Sequence, residues 1–402
     1  MLRIYVSIDE AGERRFMKEL GKLVIRNLYK SFGDFKVLND FNLTVERGEF
    51  VTFLGPSGCG KSTALNCICG LLQITSGEIL VDDKVIDNGK DISVPAEKRG
   101  FGIVFQSYAL FPHMTVAQNV SFGLRIKKMP KEEIARRVDE AINIVHLQGF
   151  ENKYPGQLSG GQQQRVAIAR SIVLEPILLM LDEPLSNLDA KLRMEMRYEL
   201  KSLHERLRIA SIYVTHDQSE ALALSDKIVV LKRGLVMQIG SPKDVFERPM
   251  NLFVADFMGF KNFWKGKIVS MKEENGAVEV CLDINGKAFV SRRTYLESEA
   301  LKVEKLRAAF QNGFPVETAI RPDDFMVGEN SVNAFSAQID LVSYSGHSND
   351  ISASVENGLR LDARVEGKIG SEKLGSEERT LSLCVPPEKV HVLVREDTDG
   401  ND

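Results

Sequence analysis

The apolar run Phe50-Val51-Thr52-Phe53-Leu54 passes without a break into Gly55-Pro56-Ser57-Gly58-Cys59-Gly60-Lys61-Ser62-Thr63. Few sequence features restrict a fold more tightly. Backbone N–H groups of such a glycine loop converge on a phosphate only when a strand delivers the loop and a helix takes over from it. The run reads as that strand and residues 62–71 as the helix, whose positive end faces the same anion. Lys61 is placed to neutralise charge on the β- and γ-phosphates of a nucleotide, and the Ser62 hydroxyl to ligate Mg²⁺.

A second part of the same chemistry lies downstream. Ile177-Leu178-Leu179-Met180-Leu181 is apolar throughout, as a parallel strand buried on both faces must be. It ends in Asp182, the carboxylate expected on the Mg²⁺ side, and in Glu183, placed to accept a proton from an attacking water. Ser211-Ile212-Tyr213-Val214-Thr215 reads as a further strand and delivers His216 at its carboxyl end, where open α/β sheets place their chemistry. Leu23-Val24-Ile25 and Phe41-Asn42-Leu43-Thr44-Val45 also read as strands. Residues 129–145 are charged and helical, and Leu192, Met196, Leu200, Leu203 and Leu207 recur at helical spacing.

With 402 residues the chain is long for a single core, so two or more are expected. Its 52 basic and 56 acidic residues leave a net charge of −4 with no long basic block, which argues against a nucleic-acid binder resting on phosphate neutralisation. Cys59, Cys67, Cys69, Cys281 and Cys384 lack metal-ligand spacing and indicate free thiols in a reducing compartment. Cys59, inside the glycine loop, is a small residue that suits the turn or, alternatively, an oxidation sensor. No apolar stretch approaches the ~20 residues needed to span a bilayer. Residues 1–22 carry Asp9, Glu10, Glu13, Arg14, Arg15 and Lys18 in place of an apolar signal core, and read as an extension or an early start codon.

After Gly259 the pattern changes to short alternating runs, among them 277–282, 335–339 and 390–394, punctuated by glycine and asparagine. These indicate a small β-barrel over 260–402. The acidic end, 396–402, reads as frayed.

Between the two phosphate-handling parts stands Leu158-Ser159-Gly160-Gly161-Gln162. With this pentapeptide in place, the order of elements from about Leu23 to Gly259 resembles the ATP-binding-cassette (ABC) superfamily. The resemblance implies an α/β P-loop NTPase with a helical insertion over 23–259, followed by an OB-like regulatory β-barrel. ATP and Mg²⁺ are the cofactors it implies. It also implies that adenine stacks on Phe32, in Lys30-Ser31-Phe32-Gly33. Gln106 matches the glutamine that reaches Mg²⁺ and water and reports to a transmembrane partner. Ser186-Asn187-Leu188-Asp189 is similar to the D-loop that crosses the dimer seam, and His216 to the switch histidine that holds the γ-phosphate. Two cassettes of this family close head to tail, so Ser159 and its glycines face the γ-phosphate held by the other subunit's Lys61. A chain with one cassette then pairs with itself or with another cassette.

The finer resemblance is to importer ATPases of the maltose, glycerol-phosphate, polyamine and ferric-iron type. Gln106-Ser107-Tyr108-Ala109-Leu110-Phe111-Pro112-His113 is similar to their permease-contacting segment; Tyr213-Val214-Thr215-His216-Asp217-Gln218 and Gln238-Ile239-Gly240-Ser241-Pro242 also resemble theirs, as does the exit Phe253-Val254-Ala255-Asp256-Phe257-Met258-Gly259. Ile320-Arg321-Pro322-Asp323 echoes the Arg-Pro-acid element of their regulatory barrel. The role implied is the energy-coupling subunit of a solute importer at the cytoplasmic face of the inner membrane. Its partners would be membrane permease subunits and, indirectly, an extracytoplasmic solute-binding protein. The substrate leans to ferric iron, with sugar, glycerol phosphate and polyamine as alternatives; a soluble ABC ATPase outside transport is the remaining one.

Overall fold

The computed structural model describes residues 5–8, 14–17, 21–274, 276–328, 331–366 and 380–395. Most of the amino-terminal extension and the acidic end lie outside the described residues. Strands Tyr5–Ile8 and Arg14–Met17 pair antiparallel in a sheet of their own. The chain divides into two compact units, Met1–Val245 and Phe246–Asp402.

The first unit is built on a six-stranded sheet in the order Leu235–Gly240, Lys227–Lys232, Phe50–Leu54, Ala210–Thr215, Leu178–Asp182, Phe101–Val104. All neighbours run parallel except the hairpin of the first two. Phe50–Leu54 and Ala210–Thr215 are buried at every position, which is why they read as unbroken apolar runs. Side chains alternate between two cores. Leu179, Leu181 and Tyr213 join one, and Leu178, Met180, Ile212 and Val214 the other.

The second of these cores receives α1 (Lys61–Cys69) and a four-stranded antiparallel sheet that includes Leu23–Phe32 and Phe35–Val45. The first receives α2 (Val116–Ile126), α3 (Lys131–Ile144), α4 (Gly160–Ile172) and α5 (Ala190–Leu207). Strand Ala210–Thr215 leads into α6 (Gln218–Leu224). Helix α3 fills the charged interval expected to be helical. Helix α2 adds a second helix ahead of that interval, announced by a Thr115–Gln118 capping box.

The second unit holds two five-stranded antiparallel sheets curled around one core, an OB-like barrel, with the helix Ala300–Asn312 alongside. Trp264, Phe289 and Phe335 meet at its centre with ring centroids 5.2–5.8 Å apart. The unit begins earlier than the Gly259 boundary expected from the sequence, because cations of the barrel grip the backbone of 246–258. Arg293 donates to Glu247 O (3.1 Å), Lys302 to Pro249 O (2.9 Å), and Arg321 to Phe246 O and Met258 O. Arg321 also lies 3.6 Å from the Phe246 ring centroid and 4.1 Å from that of Phe260. Burial lowers the Lys302 pKa to about 8. The Arg-Pro-acid element thus serves this attachment.

Helix α1 depends on one buried ion pair at its far end. It ends at Cys69, two residues before the end expected from the sequence, capped by Gly70 in the left-handed region at φ 80°. Arg99 closes the orphan carbonyls there, donating to Cys67 O (3.2 Å) and Ile68 O (2.8 Å). Its Nη2 lies 2.6 Å from Asp87 Oδ2, with both side chains almost wholly out of solvent. Removing one partner leaves the other as an uncompensated buried charge. Asp87→Ala is therefore expected to cost about 3–5 kcal/mol in urea unfolding of the first unit. Adding Arg99→Leu should recover part of that loss; a single variant as stable as wild type would contradict the account.

Candidate active site

The carboxyl ends of three adjacent strands bring the expected residues together. Leu54 stands opposite Thr215 and Val214 opposite Asp182, so the glycine loop, the acid pair and His216 emerge at one edge. The crest of the loop, Pro56, Ser57 and Gly58, is exposed. Gly60 is the N-cap of α1 with φ 106°, a conformation closed to side-chain-bearing residues, and no side chain caps the helix there. The first N–H groups of α1 therefore face the loop, as an anion site needs.

Lys61 is buried, and its Nζ donates to Gly55 O (2.8 Å) and Pro56 O (2.9 Å). Ser62 Oγ donates to Asp182 Oδ1 at 2.9 Å. Burial pushes the Asp182 carboxyl up; the Ser62 bond opposes this and the neighbouring Glu183 adds to it. A hydroxyl and a partly desolvated carboxylate in contact form a hard oxygen set, the kind that Mg²⁺ takes, and a cation there relieves the cost of the buried charge. The residues fit that ion.

Glu183 adopts φ 42° and donates its N–H to Val214 O (3.0 Å), which pins the turn after the strand. Its Oε1 lies 3.3 Å from His216 Nδ1. Gln106 Nε2 donates to Ser186 Oγ (3.2 Å), Asn187 Nδ2 to Gln106 O (2.9 Å), and Ser186 Oγ to Glu183 O (2.8 Å). The glutamine, the D-loop and Glu183 are thus one hydrogen-bonded chain. Asp189 closes the D-loop by capping α5 through Leu192 N (2.9 Å). Phe32 is half exposed at the end of its strand, with Lys30 Nζ 4.5 Å from the ring centroid. Cys59 is buried and its thiol is pushed up by that burial, which favours a packing role over a reactive one.

The pentapeptide 158–162 takes no part in this group. Leu158 is buried in the core below α2–α5, and Ser159 and Gln162 cap each other, Ser159 N donating to Gln162 Oε1 (2.9 Å) and Gln162 N to Ser159 Oγ (3.4 Å). Its glycines have an internal reason to be small. A Cβ at Gly160 would stand 3.1 Å from Leu188 Cδ2, and one at Gly161 3.1 Å from Leu192 Cδ1. The D-loop and the start of α5 pack directly on the amino-terminal end of α4.

One residue with a part in the site was missed. Glu220, almost fully buried, accepts from Tyr213 OH (2.8 Å) and Thr215 Oγ1 (2.7 Å), and so braces the strand end that carries His216. Burial foremost, with the Glu220 charge, raises the Tyr213 pKa and keeps its hydroxyl a donor. The spacing Asp217-x-x-Glu220 signals a capping box, yet only Asp217 caps α6 while the glutamate turns inward.

Comparisons with known proteins agree with this geometry. The ABC transporter family pattern matches residues 38–186, and the TOBE domain pattern matches 318–393. The spermidine/putrescine import ATP-binding protein PotA of Haemophilus influenzae is 46% identical over 315 residues, covering 78% of this chain and 79% of that protein. Its namesake in Thermotoga maritima is 42% identical over 327 residues, covering 81% and 85%. Among solved structures, cbiO1 from Clostridium perfringens, part of the ABC transporter complex cbiONQ, is 37% identical with a TM-score of 0.52, covering 56% of this chain and 90% of that one. A glycine loop, acid pair and histidine at adjoining strand ends, on a chain this similar, have one reading: the protein belongs to the ABC transporter family, as the ATP-binding, ATP-hydrolysing subunit of an importer.

Proposed function

We propose that this ATPase drives polyamine uptake through partner membrane permease subunits, docked at the cytoplasmic face of the inner membrane and paired with a second cassette. The polyamine reading rests on relatives at 42–52% identity that are named for spermidine/putrescine import. Those names give the ferric-iron lean no support. Among the described residues no helix is long and apolar enough to cross a bilayer, so the membrane passage falls to the permease.

In this reading Lys61 transfers its hydrogen bonds from the carbonyls of Gly55 and Pro56 to phosphate oxygens when ATP enters, and adenine stacks on Phe32. Ser62 and Asp182, joined by Gln106, would hold Mg²⁺, and the ion would supply charge neutralisation at the phosphates. Glu183 takes the proton of the attacking water, and His216, within reach of Glu183, holds the γ-phosphate. Ser159, at the capped start of α4, serves the ATP of the second cassette, with the helix dipole adding to its pull on the anion. The segment Tyr108–His113 meets the permease. Closure of two chains assembles both sites, and opening after hydrolysis resets them.

Glu183→Gln is expected to keep ATP affinity within about twofold and accumulate a closed dimer on ATP, while turnover falls about 10²–10⁴-fold. Size-exclusion chromatography and phosphate release check both; normal turnover removes Glu183 from its role. Glu220→Ala strands two buried hydroxyls and should cost about 1–3 kcal/mol of stability. It should also lower kcat with little change in nucleotide affinity, by releasing the strand end under His216; unchanged kcat would limit Glu220 to packing. The cargo is tested by uptake of labelled spermidine, putrescine, ferric iron, a maltooligosaccharide and glycerol phosphate in a strain deleted for this chain. Loss of polyamine uptake, restored by wild type and not by Glu183→Gln, is the expected result. Loss of another substrate instead would overturn the polyamine reading.

A further inference from the structure

The segment after strand Phe101–Val104 contains two consecutive non-glycine residues in the left-handed region, Tyr108 at φ 60° and Ala109 at φ 46°. Each costs about 1–2 kcal/mol, and such a pair persists only where its surroundings hold it. The Tyr108 ring, buried in the core, holds one side of it, and one further side chain holds the backbone. Arg170, near the carboxyl end of α4, donates from Nη2 to Tyr108 O (2.8 Å) and from Nη1 to Ala109 O (2.7 Å). Its guanidinium lies 5.7 Å from the Phe111 ring centroid.

The next residue grips the other flank. Ser171 Oγ donates to Ile103 O at 2.8 Å, so consecutive residues of α4 hold the backbone on both sides of Gln106. Beyond the pair, buried Asn119 accepts from Phe111 N (2.9 Å) and donates to Phe111 O (3.1 Å) and Met114 O (3.0 Å). The segment is thus anchored on α2 at its far end, and its strained middle is held by Arg170 at two carbonyls and by the Tyr108 ring buried in the core.

Helix α4 runs 13 residues without a break from the glycines at 160–161, a rod of roughly 20 Å. We propose that Arg170 is a positioning residue that ties the ATP-facing end of α4 to the segment Tyr108–His113, so that engagement of ATP at Ser159 resets that segment through the guanidinium–carbonyl pair. This rests on the preceding reading that 158–162 meets ATP and 108–113 meets the permease. The left-handed pair supplies the second state. When Arg170 shifts, the two residues relax toward ordinary backbone conformations, and a small movement of α4 becomes a discrete change of loop shape.

The test is hydrogen exchange of the full chain with and without ATP, in the Glu183→Gln background. With Arg170 present, ATP should slow exchange of amides 108–113 at least about threefold. In Arg170→Ala that slowing should vanish, while amides 57–62 of the glycine loop keep their ATP protection. Adding Ala109→Gly, which relieves the strain without replacing the guanidinium link, should leave the slowing absent, and its return would overturn the proposal. Protection of 108–113 that survives in Arg170→Ala, or that is absent with Arg170 in place, overturns the proposal. So does loss of protection in both regions together, the mark of a general structural brace. If Arg170→Ala does not fold, Arg170→Lys decides. Its single ammonium should weaken protection at 108–113 alone, and an unchanged pattern overturns the proposal. No cargo enters this experiment, so failure of the polyamine reading shows separately in the uptake panel. Failure of the ATP reading shows as missing protection at 57–62.

Discussion

The register of three parallel strands governs everything at the site. Phe50–Leu54 and Leu178–Asp182 flank Ala210–Thr215, with Leu54 facing Thr215 and Asp182 facing Val214. A slip of one residue would exchange the two faces of a strand. It is resisted on both sides, because Leu179 and Leu181 pack into one core and Leu178 and Met180 into the other. Apolar burial therefore sets the spacing of Lys61, Asp182 and His216, and the polar contacts among them refine a geometry already decided.

Within the second unit, the segment 246–258 is held to the barrel by a different means. Its cations bond mainly to backbone carbonyls of 246–258, where a carbonyl accepts a charged donor without bringing a second charge into a buried setting. Glu299 is the exception, paired with Arg248 at 2.5 Å and 4.0 Å from Lys302. This attachment carries the short helix Leu252–Phe257 with the barrel, where Ala255 packs with Phe260, Ala319 and Leu393.

What could be read in the sequence follows from this physics. The buried strands were legible because burial on both faces demands unbroken apolar runs, and the glycine loop because its backbone conformation admits few residue types. His216 and the acid pair were legible by position, one residue past such runs. The boundary at Val245 was not, since Arg293, Lys302 and Arg321 reach it from positions far along the chain. Glu220 was hidden by local chemistry, in that Asp217-x-x-Glu220 signals a cap that the inward-turned side chain does not make. The left-handed pair at Tyr108–Ala109 carries no glycine to betray it; the arginine that holds it lies on another helix.

The groups assigned to ATP share one further property: each already has a protein partner. Lys61 holds two carbonyls, Ser62 holds Asp182, His216 lies against Glu183, and Gln106 holds Ser186. An unpaired buried ammonium would cost several kcal/mol, so the two carbonyls let Lys61 stay buried between turnovers. Entry of a nucleotide then exchanges one hydrogen bond for another, and such an exchange is small in net free energy. In the proposed reading, what would favour the bound state is the concentration of negative charge on the phosphates, met by a buried lysine, a helix amino-terminus and a hard oxygen pair. Because Ser186 links Gln106 to Glu183, the exchange at one member alters the bonding of the next. Under the proposed reading, the nucleotide would be sensed at the D-loop and at the segment beyond Gln106 as a redistribution of existing bonds, with no new element required to form.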